Sequence, residues 1–363
     1  MPHFWEMNLT QLRSAALFVL AFGMTYSCSE PQEQEQGPAP VQEQVEELAP
    51  VNKGRTALDS LNALIVENPN DLDVLESRAR LYLGARNLAY AQADINAVLA
   101  SDSNRVGALE ILGDLGFASN KTRESRDAWQ KCMRLDPEYV PCRLKMAQLY
   151  HVVTEFEKSA ELVDIVLNLD PQNPEAHFLK GLLMRDAIGD TTRALQWFQK
   201  AIDIAPDYVE AIDMCGVLYS AMGNPIAIAY FNRLVELDPE NKLSFYNRGM
   251  FYLGQQNWNG ALEDFTTCTK LDPADIESFF NLGYIHLQLQ LPREAIGYFT
   301  QALAIQPINH RALYGRGYSF ELLGDMPNAE KDYREALSYN PDHEGSRQGV
   351  IRIQNAKTQA GLN

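Results

Sequence analysis

The residues able to perform chemistry are few, and none shows a catalytic spacing. The chain of 363 residues has five cysteines and six histidines, with no C-x-x-C pair and no Cys/His spacing suited to zinc. There is no H-E-x-x-H motif, no phosphate loop and no G-x-S-x-G motif. Gly315 and Gly317 follow no predicted strand and lack a third glycine, so they indicate helix packing. The sequence therefore indicates no enzyme activity, no metal and no cofactor.

Two cysteines could instead serve the structure. Cys132 and Cys142 flank one predicted turn between helices, so a disulfide between them is one alternative. Two free buried thiols are the state that the sequence favours, because a sequence does not show the geometry that a bridge requires. Cys268 occupies a small core position and Cys215 lies on an apolar face, which predicts structural roles for both.

A fifth cysteine follows an apolar segment near the N-terminus. Arg13 precedes an apolar run over residues 15–24, and Cys28 follows the small residue Ser27. The run is shorter than the roughly 20 apolar residues that span a bilayer. Its charged, apolar and small-residue parts indicate a secretory signal over residues 1–27.

This segment resembles a bacterial lipoprotein signal. The resemblance implies that Cys28 is lipidated and becomes the mature N-terminus, although Thr25 stands where such signals carry leucine. An ordinary cleaved signal and an uncleaved anchor are the alternatives. The cysteine at the end of the apolar run favours the lipoprotein.

Residues 28–51 are predicted to be a disordered acidic tether. Residues 29–50 contain six glutamates, four prolines, no lysine and no arginine, a composition that does not support a core. A solubilising linker is the preferred interpretation. A spacer that lifts the protein from a membrane, or an export signal, is the functional alternative.

Beyond the tether, a helix–turn–helix pattern recurs. In residues 242–275, Phe245, Gly249 and Tyr252 mark one face of a first helix, and Ala261 and Phe265 mark a second. Prolines close successive units at intervals of 33 to 35 residues: Pro137, Pro171, Pro206, Pro239, Pro273, Pro307 and Pro341. One such hairpin cannot bury its own apolar face, so the units are expected to stack.

The period and the recurring small and large positions resemble the tetratricopeptide repeat (TPR) family. The resemblance implies an all-α fold, a right-handed α-solenoid of helix–turn–helix repeats that needs no division into domains. An N-terminal half-repeat helix is predicted at 52–70, with no convincing first helix ahead of it, and a C-terminal capping helix and tail at 342–363. Eight repeats are predicted between them, at 72–103, 106–137, 140–171, 174–206, 209–239, 242–273, 276–307 and 310–341.

The resemblance also implies a concave groove, lined by the first helices, that binds a protein partner. Its N-terminal part would be acidic and its C-terminal part aromatic. The acidic positions are Asp73, Glu76, Glu110 and Asp114, which lie near Arg80 and Phe117. The aromatic and apolar positions are Tyr246, Met250, Phe280, Tyr284, Leu287, Tyr314 and Tyr318. Exposed aromatic clusters often mark interaction sites, but aromatics at these positions also pack against neighbouring helices.

The formal net charge of −17 argues against a nucleic-acid partner, because phosphate binding requires Lys/Arg patches. The hypothesis that the sequence favours is a membrane-tethered scaffold for protein–protein interaction in the bacterial cell envelope. It would be an outer-membrane lipoprotein on the periplasmic or surface face, assisting assembly of an outer-membrane or secretion complex. The alternatives are a peptide- or glycan-binding lipoprotein for uptake and a secreted or periplasmic protein.

Overall fold

A computed structural model describes residues 56–359. The predicted signal at 1–27, the predicted lipidation site Cys28 and the predicted tether at 28–51 lie outside the described residues. Over the described range the chain forms 18 α-helices and one π-helical segment, and it contains no strand. The predicted all-α fold of helix–turn–helix repeats is confirmed.

The helices follow one another at short intervals. We number them α1 to α18, and their bounds are α1 Ala57–Glu67, α2 Leu72–Gly84, α3 Leu88–Ser101, α4 Val106–Ala118, α5 Thr122–Leu135, α6 Val140–Val152, α7 Phe156–Leu169, α8 Pro174–Leu183, α9 Thr191–Ile204, α10 Val209–Ala221, α11 Ala227–Leu237, α12 Lys242–Gly254, α13 Trp258–Leu271, α14 Ile276–Gln288, α15 Pro292–Ile305, α16 His310–Leu322, α17 Met326–Tyr339 and α18 Glu344–Gln359. The π-helical segment Met184–Ile188 directly follows α8.

The Asp-Pro pair that closes many repeats ends the second helix by a local hydrogen bond. Asp272 is the C-cap of α13, and its Oδ1 accepts from the backbone N–H of Ala274 at 3.0 Å. Asp136 makes the same bond to Glu138 at 2.9 Å. This bond pairs the N–H with a side chain instead of a helix carbonyl. The following proline also disfavours helical geometry at the aspartate, so the chain turns at the same point in each of these repeats.

Small residues let the two helices of a repeat approach closely. A Cβ added to Gly283 in α14 would lie 2.8 Å from the ring of Phe299 in α15. Phe299 is fully buried, as is Phe265 at the same position one repeat earlier. The recurring small and large residues therefore pack against each other within each hairpin.

The chain divides into two compact units between Ile188 and Gly189. This boundary lies inside the predicted fourth repeat, whereas the sequence predicts an array without division into domains. The π-helical segment ends the first unit, and Gly189 begins the second with φ +76°. A π-helical turn accommodates extra residues within a helix. The connection between the two helices of this repeat is one residue longer than the same connection in other repeats.

The helices at the two ends of the described chain differ in how far they are buried. The last helix of the second unit, α18, buries Ser346, Gly349, Val350 and Ile353 against the hairpin before it. The first helix of the first unit, α1, has no buried residue among its eleven described positions. No helix within 56–359 is long and apolar enough to span a membrane.

Candidate interaction surfaces

First helices of successive repeats lie side by side in both units. In the first unit they form a polar face centred on Glu110 of α4, which is buried. Its Oε2 accepts hydrogen bonds from Arg80 Nη2 in α2 at 2.8 Å and from the Tyr139 hydroxyl at 2.7 Å. Burial raises the pKa of Glu110, but these two donors outweigh burial and hold it below its usual range. Glu110 therefore stays ionised and joins neighbouring repeats.

The remaining acidic residues of this face are also paired with cations. Arg105 forms ion pairs with Asp73 and with Glu76, the second at 2.6 Å. Lys145 Nζ lies 3.7 Å from Asp114. The structure thus brings the four predicted acidic residues onto one face, where each forms an ion pair with Arg80, Arg105 or Lys145. Their role in binding a partner stays a prediction. Sequence reasoning missed Arg105 because it lies just before α4, outside the helical positions used to predict the groove.

A histidine ends this polar face at the C-terminal side of the first unit. His151 is buried, and its Nε2 lies 3.0 Å from Asp186 Oδ2 in the π-helical segment. Burial raises the pKa of Asp186, but His151 and Arg185 outweigh it and lower this pKa to about 2. The pair joins α6 to the π-helical segment.

In the second unit, the predicted aromatic positions are more buried than expected. Phe280 and Leu287 are each 7% exposed, which agrees with the alternative that aromatic and apolar side chains here pack against neighbouring helices. Their assignment to a partner-binding groove stays a prediction. Phe280 packs against Phe299, with ring centroids 5.6 Å apart, and the Arg311 guanidinium lies 4.2 Å above the Phe280 ring. The first-helix position faces the second helix of its own repeat, and this contact buries it.

The tyrosines of this face divide into packed and half-exposed side chains. Tyr246 meets Phe265 edge to face at 5.7 Å, and burial raises its pKa to about 12. Tyr314 contacts Tyr333 and His343, at 5.8 and 4.9 Å. The remaining three predicted side chains are half-buried at the edge of the packed clusters, and they are Met250, Tyr284 and Tyr318.

A buried carboxylate accompanies the aromatic face. Asp213 in α10 is 9% exposed and accepts a hydrogen bond from the Asn247 amide in α12 at 3.2 Å. Burial, with a smaller contribution from Glu210, raises the pKa of Asp213 to about 6. Sequence reasoning missed this residue because nothing in its local pattern distinguishes it from an exposed aspartate.

The cysteines take roles that the sequence left open. Cys132 in α5 and Cys142 in α6 form a disulfide, with Cα atoms 6.4 Å apart, so the preference for two free thiols is wrong. The two cysteines approach each other because only residues 136–139 separate the end of α5 from the start of α6. Cys215 and Cys268 are free and buried, and burial raises the pKa of each thiol to about 12. Between residues 56 and 359, no group of three or more His, Cys, Asp or Glu could hold a metal ion.

Comparison with known proteins agrees with this geometry. The tetratricopeptide repeat model matches residues 144–209 and 280–344. These two segments of the chain therefore match tetratricopeptide repeats. Such repeats mediate protein–protein interaction, and the scaffold that they form is typically non-enzymatic.

Sequence relatives share only part of their length with this chain. The peroxisomal targeting signal receptor of Komagataella phaffii is 26% identical over 195 residues, which cover 50% of this chain and 33% of the receptor. Human (Homo sapiens) tetratricopeptide repeat protein 6 is 22% identical over 146 residues, covering 40% of this chain and 28% of that protein. The chain thus spans about a third or less of the length of these curated relatives.

Two solved structures share the fold. The C-terminal part of a TPR repeat-containing protein from Cytophaga hutchinsonii aligns with a TM-score of 0.56 at 15% identity, covering 66% of this chain and 98% of that one. The Cut9–Hcn1 hetero-tetramer of the APC/C aligns with a TM-score of 0.53 at 16% identity, covering 82% of this chain and 58% of that one. At these identities the likeness concerns the fold alone.

Proposed function

We propose that this TPR chain is a protein-binding scaffold tethered to the bacterial cell envelope. The observation that carries the binding role is the half-exposed aromatic edge of the second unit, where Tyr284 and Tyr318 border the packed aromatic clusters. Aromatic side chains supply contact area at a low cost in conformational entropy. The partner would present an apolar or aromatic segment to this edge.

The envelope location rests on two further observations. Residues 1–27 have the pattern of a lipoprotein signal that ends at Cys28. The disulfide between Cys132 and Cys142 suits an oxidising compartment such as the periplasm or the cell surface. The scaffold would hold its partner at the outer membrane during assembly of an outer-membrane or secretion complex.

The paired charges of the first unit favour a structural role for its polar face. Arg80, Arg105 and Lys145 already form ion pairs with the acidic side chains that the sequence assigns to a groove. A ligand that bound there would have to break these ion pairs. Partner binding is therefore assigned to the second unit.

The binding role is tested by co-purification from detergent-solubilised envelope. We compare the wild type with Tyr284→Ala/Tyr318→Ala, after confirming equal helicity by circular dichroism. The control is Tyr339→Ala, because Tyr339 is exposed at the end of α17, away from the first helices. Loss of a wild-type partner from the double variant alone supports the aromatic edge. Equal retention in all three proteins rejects it.

The anchor is tested separately. Metabolic labelling with a radioactive or clickable fatty acid should label the wild type and not Cys28→Ala. The Cys28→Ala variant should also move from the membrane fraction to the soluble fraction. An unlabelled wild type would reject lipidation while leaving the binding role intact.

A further inference from the structure

Two arginines on first helices bind an asparagine from the helix before them. Arg78 Nη1 in α2 donates to Asn62 Oδ1 in α1 at 2.9 Å. Arg248 Nη1 in α12 donates to Asn232 Oδ1 in α11, also at 2.9 Å. In both arginines the nitrogens Nε and Nη2 hold an aspartate of the following helix. The asparagine carboxamide therefore binds the side of the guanidinium that the aspartate does not use.

A third arginine of this kind, Arg316 in α16, faces a shorter side chain. Its Nε and Nη2 hold Asp332 at 2.7 and 2.9 Å, as in the other two repeats. Thr300 of α15 stands at the asparagine position, and its hydroxyl oxygen lies 3.5 Å from Arg316 Nη1. Because N–H to O hydrogen bonds are usually about 2.7–3.2 Å long, this contact is weak. Arg316 Nη1 therefore retains the capacity to donate to a better acceptor.

A cleft opens beside Arg316 between α15, α16 and α17. Its volume is about 310 Å³, and the residues that line it with Arg316 include Thr300, Leu303, Ala304, Leu313 and Glu335. The cleft forms because α15 has short side chains here. Two repeats earlier, Asn232 and Glu236 stand in place of Thr300 and Ala304. A volume of this size lies at the lower end of the range for small-ligand sites, so it accommodates one small group.

The charges around the cleft favour a neutral ligand. Asp332 is buried and already compensates the charge of Arg316. Hydrogen bonding to Asp332 raises the pKa of Arg316 despite burial, and the charge of Glu335 raises it further. A carboxylate ligand would be repelled by Glu335, and an ammonium ligand would be repelled by Arg316. A neutral group that accepts from Arg316 and donates to Glu335 avoids both repulsions.

We propose that this cleft binds a primary carboxamide attached to a short apolar chain. The carbonyl oxygen accepts from Arg316 Nη1, in the place that an asparagine takes in the other two repeats. The amide nitrogen donates to Glu335, and the apolar chain lies on Leu303 and Leu313. The carboxamide belongs to a glutamine side chain of a protein partner or to a small amide in solution. The cleft contains no residue of the aromatic edge, so the two sites are tested independently.

Titration of the full chain in detergent with isobutyramide tests the cleft. Leucine methyl signals in NMR spectra report binding, because Leu303 and Leu313 line the cleft. We expect saturable shifts of these two leucines. Isobutyrate has the same shape with a negative charge, and it should bind about tenfold or more weakly because Glu335 repels it. The absence of a saturable shift with isobutyramide overturns the proposal, as does equal binding of isobutyrate.

A substitution that supplies the protein's own carboxamide should close the site. Thr300→Asn places an asparagine at the position of Asn62 and Asn232, and it should abolish the isobutyramide shifts. Thr266→Asn is the matched control, because it makes the same change one repeat earlier, where Leu282 stands in place of the arginine. It should retain wild-type binding. Thermal unfolding confirms that both variants fold. Binding that persists in Thr300→Asn, or is lost in both variants, overturns the proposal.

A second variant and a peptide probe complete the test. Glu335→Ala should weaken isobutyramide binding and reduce the preference over isobutyrate, and an unchanged preference overturns the assigned hydrogen bond to Glu335. N-acetylglutamine methylamide presents the carboxamide on a peptide backbone, with N-acetylglutamate methylamide as its charged control. Tighter binding of the glutamine probe than of isobutyramide supports a glutamine of a protein partner. Weaker binding supports a small amide as the ligand.

Discussion

Arg248 in α12 and Asp264 in α13 form a bidentate ion pair. Arg248 Nε donates to Asp264 Oδ2 at 2.9 Å, and Nη2 donates to Oδ1 at 2.7 Å. Both side chains are largely removed from solvent. The pair joins the two helices of one repeat, 16 residues apart. The same geometry recurs in two other repeats, at Arg78–Asp94 and Arg316–Asp332.

Removing one partner of this ion pair should destabilise the second unit. Arg248→Leu leaves the buried Asp264 carboxylate unpaired, and we expect a loss of about 3 kcal/mol in the free energy of unfolding. Chemical denaturation followed by circular dichroism measures this loss. Arg248→Leu/Asp264→Tyr is the control, because Leu282 and Tyr298 occupy these positions one repeat later. The double variant should recover most of the stability. A double variant as unstable as Arg248→Leu would show that the loss does not come from the unpaired Asp264 carboxylate.

Reduction of the disulfide should weaken the first unit. Cys132 and Cys142 close a loop with a sequence separation of 10 residues, and the loss of such a closure costs about 3 kcal/mol in the chain-entropy account. The urea midpoint should fall when dithiothreitol is added. Cys132→Ala/Cys142→Ala should have the lower midpoint without reductant and show no further response. A response in that variant would assign the effect to another site.

Asp213 should make the stability of the second unit depend on pH. Its pKa is raised to about 6 in the folded state, so the folded protein binds a proton that the unfolded chain releases near pH 4. Stability due to this group therefore falls as pH rises from about 4 to 6 and stays lower above that. Asp213→Asn should remove this slope and be more stable at pH 7, by as much as about 3 kcal/mol. Asp207→Asn, at an exposed position, should keep the wild-type slope in thermal unfolding.

An ion pair between α18 and α16 should contribute to the stability of the second unit. Arg352 donates two hydrogen bonds to Glu321, at 2.7 and 2.8 Å, and Glu321 accepts a third from the fully buried Tyr333. Burial raises the pKa of Glu321, but the hydrogen bonds from Arg352 and Tyr333 have the larger combined effect. The pKa of Glu321 is therefore below its usual value. The contribution of this carboxylate is present at neutral pH and is lost as pH falls through its lowered pKa.

Arg352→Ala should therefore lower stability at pH 7 and have less effect in acid. We expect about 1 kcal/mol, since Arg352 is half exposed. Arg347→Ala is the matched control, because Arg347 is equally exposed but pairs with exposed carboxylates. Its effect should stay within about 0.5 kcal/mol. Equal losses in the two variants, measured by thermal unfolding, would reject a specific role for the Glu321 contact.

The amino-acid sequence determined the periodic features of this protein. A step of about 34 residues, small and large residues in register, and the Asp-Pro pairs at helix ends act through local geometry, so they were visible without coordinates. Local rules therefore predicted the helices and the repeat fold.

The tertiary structure alone decided the contacts between residues far apart in the chain. The sequence could not show that Cys132 and Cys142 have bonding geometry, or that Arg105 reaches back to Glu76 from the next repeat. Nor could it show that Phe280 is covered by Phe299 rather than open to a partner. Such contacts depend on the distance and angle between stacked helices, which packing sets collectively and no local pattern encodes.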